Sequence, residues 1–188
     1  YLLFASKSLG FWYSDDLYSW QFKPTPELPV YDYAPDVREI NGAVVFSASR
    51  RGQPCSFYRS ENPLQEAFKE VSTIFDFWDP AIFQDDDGRV YFYWGCTNTE
   101  PLWAIEIDPA TLQPIGEKVA VLHENDAAHG WERTGENNQL KEPKTEMEKL
   151  VRQHVGTKPF IEGAYMNKYE GKYYRQYAGP GTQYNVYS

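Results

Sequence analysis

The stretch "FDFWDPAIFQDDDGRVYFYWG", Phe75 to Gly95, decides how the chain is read. "DDDG" ahead of the alternating, aromatic "RVYFYW" is turn chemistry followed by a strand. Asp tolerates tight-turn geometry and Gly88 accepts a positive φ, so the segment is predicted to be a β-hairpin. Asp79 does not serve that turn. It sits in the incoming arm between Trp78 and Pro80, and a carboxylate in apolar company needs a partner or a function.

Two further stretches share the layout. "APDVREINGAVVFSAS" runs from Ala34 to Ser49 and "EGAYMNKYEGKYYRQYA" from Glu162 to Ala178. Each has a short apolar strand, a turn ending in Gly and an alternating strand. The turn glycines Gly42 and Gly88 stand 46 residues apart, and Gly88 and Gly171 stand 83 apart. The excess matches a polar, charged insertion over about residues 123–158, within which "EMEKLVRQH", Glu146 to His154, has helix formers. "SFYRSENP", "LWAIEIDPATLQPIG" and "QYNVYS" are predicted to add strands to the three units, and "YLLFASKSLGFWYSDDLYSW" to close a preceding one.

Several strands repeating at roughly 45 residues predict a β-propeller, an all-β fold. A β-sandwich with coincidental hairpins is the alternative. The sandwich gives no reason for Asp36, Asp79 and Glu162 to stand at or near the start of the first strand of their units. In a propeller those strands line the central channel, so Asp79 and Glu162, read as matching positions of successive blades, are expected to face one pocket.

The bulk composition is rich in aromatic side chains, which favour strands and also line sugar-binding surfaces. Aromatic residues make up 17% of 188, with 15 Tyr and 6 Trp. A net charge of −9 argues against nucleic acid as a partner. No apolar run reaches the ~20 residues of a membrane-spanning helix. Cys55 and Cys96 read as buried thiols or as a disulfide pair.

Four motifs together resemble glycoside hydrolase family 43. "WDPAIFQDDDGRVYFYWG" resembles its second acidic motif and "IEGAYMNKYEGKYY" its general-acid motif. "YAPDV" resembles the Ala-Pro segment of its second blade, and "FWYSDDLYSW" the end of its first. The related invertase-like families usually place Cys after the acid, where this chain has Gly163. The resemblance implies a five-bladed β-propeller with about three and a half to four blades present, residues 1–188 forming a partial catalytic domain. It implies an inverting hydrolase acting on plant-type polysaccharides or oligosaccharides. Glu162 matches the general acid, and Asp79 matches the third acid, the pKa modulator that helps the acid keep its proton. The general base, an Asp on the first strand of blade one, would precede Tyr1, so the chain alone is expected to be inactive.

Other residues have two readings each. Asp36 either hydrogen-bonds a sugar hydroxyl or satisfies a backbone turn. Trp78 and Phe160 either stack on sugars or pack between blades. His129, Trp131 and Arg133, in "HGWERTGENN", either contact sugar or belong to a solvated loop. Asp79 itself can be a mere backbone cap. Asp85, Asp86 and Asp87 read as a turn rather than a Ca²⁺ site, and no metal ligand is assigned. No cofactor is required, although the resemblance allows a structural Ca²⁺ on the propeller axis. It also implies a carbohydrate substrate, the remaining blades of a parent chain as partners, and a secreted or periplasmic protein. A glycan-binding propeller without catalysis and an assembly propeller are the competing classes. The sugar and linkage stay open among arabinofuranoside, xyloside and galactose-based glycosides.

Overall fold

The computed structural model describes residues 1–29, 33–50 and 52–188. The first sheet joins β1 (Leu2–Phe4), β2 (Gly10–Tyr13) and β3 (Gln21–Pro24). The second joins β4 (Tyr33–Ile40), β5 (Ala43–Ser49), β6 (Ser56–Ser60) and β7 (Lys69–Thr73). The third is built from β8 (Ala81–Gln84) and β9 (Val90–Trp94). The two-residue β10 (Cys96–Thr97) then leaves it, and β11 (Leu102–Ile107) and β12 (Pro114–Leu122) complete it. After the insertion, which holds helix α1 (Glu146–Val155), β13 (Ile161–Tyr169) and β14 (Lys172–Ala178) form the fourth sheet, with β10 as its third strand. All pairings are antiparallel.

Local chemistry explains the hairpins. Asn41–Gly42 and Glu170–Gly171 are two-residue turns with φ positive at both positions, as a type I′ hairpin needs. The "DDDG" turn closes with the Asp85 N–H on the Arg89 carbonyl. Asp85 also takes the Lys168 ammonium at 2.6 Å and the Tyr173 hydroxyl, and Asp87 takes the Arg89 side chain at 2.8 Å. These acids are a turn and a tie to the next blade, in line with the turn reading.

The sheets are blades. β1, β4, β8 and β13 neighbour one another in turn as the inner strands. Each junction between blades has its own core. Phe11, Phe46, Tyr58 and Phe68 fill the first, Phe57, Phe77, Ile82 and Phe92 the second, and Ala81, Leu102, Ile161 and Ala164 the third. Burying each such Phe contributes about 2–3 kcal/mol over leaving it exposed. One core per junction is what a propeller requires and a two-sheet sandwich lacks.

Among the described residues the first and fourth blades have three strands each and the second and third have four. One expectation needs correction. "QYNVYS" forms no strand. Its Tyr184 and Tyr187 N–H groups bond to Gly181 and Tyr184 carbonyls in local turns, and Ser188 exchanges two backbone bonds with Gly179. The helix appears where expected, with a capping box between Thr145 and Glu148.

Candidate active site

Three of the four inner strands share one irregularity, and it places the acids. One residue adopts a left-handed backbone in or just ahead of each: Ala34 in β4 at φ +45°, Asp79 ahead of β8 at +49° and Gly163 in β13 at +65°. Strand pairing skips across this residue in β4, between Tyr33 and Asp36, and in β13, between Glu162 and Tyr165. Ahead of β8 the Trp78 carbonyl takes the Gly95 N–H, and regular pairing resumes at Ala81. Tyr33, Trp78 and Glu162 are thus equivalent, as are Ala34, Asp79 and Gly163. The three acids do not hold one register position, contrary to the sequence reading. Asp79 stands on the bulge, Glu162 just before it and Asp36 two residues after.

That offset brings Asp79 and Glu162 together. Their carboxylate oxygens and the Cys96 sulfur all lie within 4.8 Å of one another. Asp79 Oδ2 accepts the Gly163 N–H at 3.2 Å, and its own N–H donates to Ser49 Oγ at 2.9 Å. Burial, and then the Glu162 charge, push the Asp79 carboxyl up to about 6, against the pull of the Gly163 N–H. The reading from sequence placed the retained proton on Glu162. Here Asp79 is the group displaced upward, and such close carboxyls titrate as a set. Cys96 donates its thiol to Glu162 Oε2 at 2.9 Å. Tyr187 flanks the same carboxylate, and its phenol is pushed up to about 12 by burial and then by Glu162.

Asp36 makes the same kind of link one blade earlier. Its Oδ2 accepts the Ile82 N–H at 2.7 Å, and Arg38 Nε lies 3.3 Å from Oδ1. Burial raises this carboxyl, with Arg38 opposing. Asp36, Asp79, Pro80, Gly163 and Tyr165 line a hollow of about 300 Å³. A larger hollow of about 780 Å³ lies under α1, floored by Met147, Val151 and Phe160. Neither Asp79 nor Glu162 lines it. Asp79 lines the smaller one, and we place the chemistry there, beside the Glu162 carboxylate that pairs with Asp79.

The remaining aromatic candidates stand elsewhere. Trp78 is half-buried, its ring 6.4 Å from that of Tyr33. Phe160 borders the larger hollow and donates its N–H to Pro180. Trp131 is 45% exposed and wedged between His129 and Tyr177, with ring centroids 6.0 and 5.4 Å away. Arg133 Nε bonds the Asp126 carbonyl at 3.1 Å.

Four residues were not singled out from sequence: Cys96, Tyr187, Glu132 and Tyr177. Glu132 has no exposed surface. It accepts the Asn125 N–H at 2.6 Å, His129 Nδ1 at 3.0 Å and the Tyr177 hydroxyl. Burial opposes its charge, but those hydrogen bonds win and hold its carboxyl below the usual range. Cys55 and Cys96 are both thiols, the former in the core with Phe77, which excludes the disulfide reading.

The Asp79–Cys96–Glu162 group does not suit calcium, which takes 6–8 oxygen ligands. No calcium ligand is assigned among the described residues. Chemically, two carboxyls this close are a proton-sharing pair. They are nearer than the ~6.5–9.5 Å that leaves room for a water between an inverting acid and base. Asp79 is therefore not the group that activates water against Glu162.

The profile of glycosyl hydrolases family 43 matches residues 1–188, the whole chain. Among solved structures, the bifunctional family 43–CE protein of Bacteroides eggerthii superposes with a TM-score of 0.62 at 17% identity, covering 90% of this chain and 21% of its own. An α-L-arabinofuranosidase from Clostridium thermocellum gives 0.57 at 19%, covering 93% and 53%. A xylan β-1,4-xylosidase from Bacillus halodurans gives 0.61 at 18%, covering 92% and 32%. At these identities the likeness shows the five-bladed propeller fold alone. The chain spans between about a fifth and just over half of these structures. No curated protein matches the chain. Among the described residues no helix is long and apolar enough to cross a membrane.

Proposed function

The chain belongs to glycosyl hydrolases family 43, and from that premise we propose that it carries the acid side of an inverting glycosidase. Glu162 is the general acid and Asp79 the carboxylate that keeps a proton available to it. The observation that carries this is the Asp79–Glu162 pair, within 4.8 Å on successive inner strands. Bond cleavage then needs a proton from Glu162 to the leaving oxygen, and a water activated from the opposite face of the sugar. No residue of this chain is assigned as the base, and the proposal covers the acid side of the reaction.

The substrate is an arabinofuranoside or xyloside in a plant-type polysaccharide. Two of the similar structures are an α-L-arabinofuranosidase and a xylan β-1,4-xylosidase. Asp36 at the hollow and the exposed face of Trp131 are proposed sugar contacts, with His129 and Arg133 shaping the loop beneath Trp131. Trp78 and Phe160 are proposed as outer contacts. The parent protein is secreted or periplasmic, its remaining blades complete the pocket, and it requires no cofactor, the propeller axis being where the family resemblance allows a structural Ca²⁺.

The test is hydrolysis of aryl α-L-arabinofuranoside, aryl β-D-xyloside, arabinan and xylan by the full-length protein, by this chain alone and by Glu162→Gln. Activity confined to the full-length wild type supports the reading. Hydrolysis by this chain alone would place the base among its own residues and overturn a proposal limited to the acid side. Binding of oligosaccharide without hydrolysis by the full-length protein selects a non-catalytic glycan-binding propeller, the reading that the exposed Trp131 also fits.

A further inference from the structure

We propose that Cys96 is a positioning residue for the acid: its thiol holds one oxygen of Glu162 and leaves the other to carry the proton. The inference rests on Glu162 being the general acid.

Its basis is the path of the chain after blade three. β9 ends at Trp94, and Gly95 turns the backbone at φ +143°. A Cβ on Gly95 would meet Leu102 Cδ2 at 2.7 Å, so this departure needs glycine. β10 then joins the following blade, where Cys96 pairs opposite Glu162 and Thr97 opposite Ile161. The backbone register, independently of the side chains, sets Cys96 against the acid. The Sγ–Oε2 distance of 2.9 Å completes the contact.

The chemistry follows from the two oxygens of one carboxyl. With Oε2 accepting S–H, the acid's proton resides on Oε1. It passes from there to the glycosidic oxygen as the C–O bond breaks, and the bond electrons remain with that oxygen. The carboxylate left behind is still held by S–H. A thiol is a weak donor. It orients the carboxyl without stabilising the ionised form as strongly as a charged donor would. Tyr187 also hydrogen-bonds the Glu162 side chain. Burial, and then Glu162, push the Cys96 thiol well above its usual range, so it stays S–H and does not ionise beside the acid.

Two measurements test this. On the chain itself, the rate of Cys96 with 2,2′-dipyridyl disulfide is followed against pH. Cys55, with no exposed surface, stays out of reach. Wild type is expected to react slowly at pH 8, and Glu162→Gln about 10-fold faster, one unit of thiol acidity. Equal rates would overturn the contact. In the full-length protein, Cys96→Ala is expected to lower kcat about 5-fold on poor leaving groups, the size of one modest hydrogen bond. It is also expected to move the alkaline limb of the pH–rate profile to higher pH. Cys96→Ser restores both. A fall that is uniform across leaving groups, with the limb unmoved, overturns positioning and leaves only packing. Thiol coupling in a full-length protein that cleaves no glycoside would instead refute the glycosidase reading. The positioning role would fall with it, while the pairing of the two side chains stood.

Discussion

Asp79 Oδ2 accepts the backbone N–H of Gly163 at 3.2 Å, and this bond crosses from one blade to the next. It joins the bulge ahead of β8 to the strand that carries Glu162. The same residue thus fastens two blades and sets a negative charge beside the acid. Asp36 fastens the previous pair of blades through the Ile82 N–H. Its neighbour, however, is a guanidinium, and Arg38 in turn lies 4.4 Å over the Tyr165 ring. One structural device serves at both junctions, and only at the second is it loaded with a like charge.

Charge at Asp79 should cost stability above neutral pH. Its carboxyl is raised from 3.8 to about 6 in the folded chain. A raised group contributes stability that is fully present below the unfolded value and lost as pH rises through the folded one. Asp79→Asn is therefore expected to gain on wild type between pH 4 and 7, by on the order of 2–3 kcal/mol at most. The Asn oxygen still accepts from Gly163. Denaturant unfolding of the chain at pH 4.5 and 7.5 checks this, and a gap that does not change with pH would contradict the burial of this carboxyl against Glu162.

Glu162→Gln separates the acid from a binding role. In the full-length protein, kcat is expected to fall 10²-fold or more on substrates with poor leaving groups. An activated aryl leaving group needs little protonation and should suffer far less. Comparable losses on the two would assign Glu162 to binding or folding.

Glu132 gives a prediction away from the acid pair. Its lowered carboxyl contributes stability that is present above the unfolded value and lost as pH falls through the folded one. Tyr177→Phe removes one of its three donors and is expected to cost about 1.5–3 kcal/mol at pH 7, the range for a bond to a charged group. The loss should shrink below pH 4. Because Tyr177 also packs on Trp131, Trp fluorescence should shift as well. An unaltered melting temperature would show that Glu132 is not held as described.

The fold was legible because its signals are local. Gly42, Gly88 and Gly171 mark their turns, and the helix formers from Glu146 to His154 mark the helix. Asp79 and Glu162 were legible as acids in apolar strands. Their offset by one residue was not, because a bulge is defined by pairing with a second strand and Ala34, Asp79 and Gly163 share no side-chain chemistry. Cys96 was illegible for the same reason. Its partner lies 66 residues on, and only the crossing of β10 to β13 brings them together. "QYNVYS" misled because alternation marks a strand only where a neighbouring edge accepts it. Here the Tyr184 and Tyr187 N–H groups are spent on local turns and that of Ser188 on Gly179.

The electrostatic role of Asp79 is separable from its clasp by comparison with Asp36. Both accept a backbone N–H from the next blade, so Asn at either site keeps an acceptor and removes a charge. At Asp79 the deleted charge faces Glu162, and losing it removes the repulsion that a proton relieves. The alkaline limb of the full-length protein's pH–rate profile is therefore expected to move to lower pH in Asp79→Asn. Each unit of movement corresponds to ~1.4 kcal/mol of coupling. At Asp36 the deleted charge faces Arg38, so Asp36→Asn should leave that limb in place and raise KM if the residue contacts sugar. If both variants moved the limb equally, the shift would come from loosened blades. If neither moved it, Asp79 would be a structural clasp and the proton on the acid would have another source.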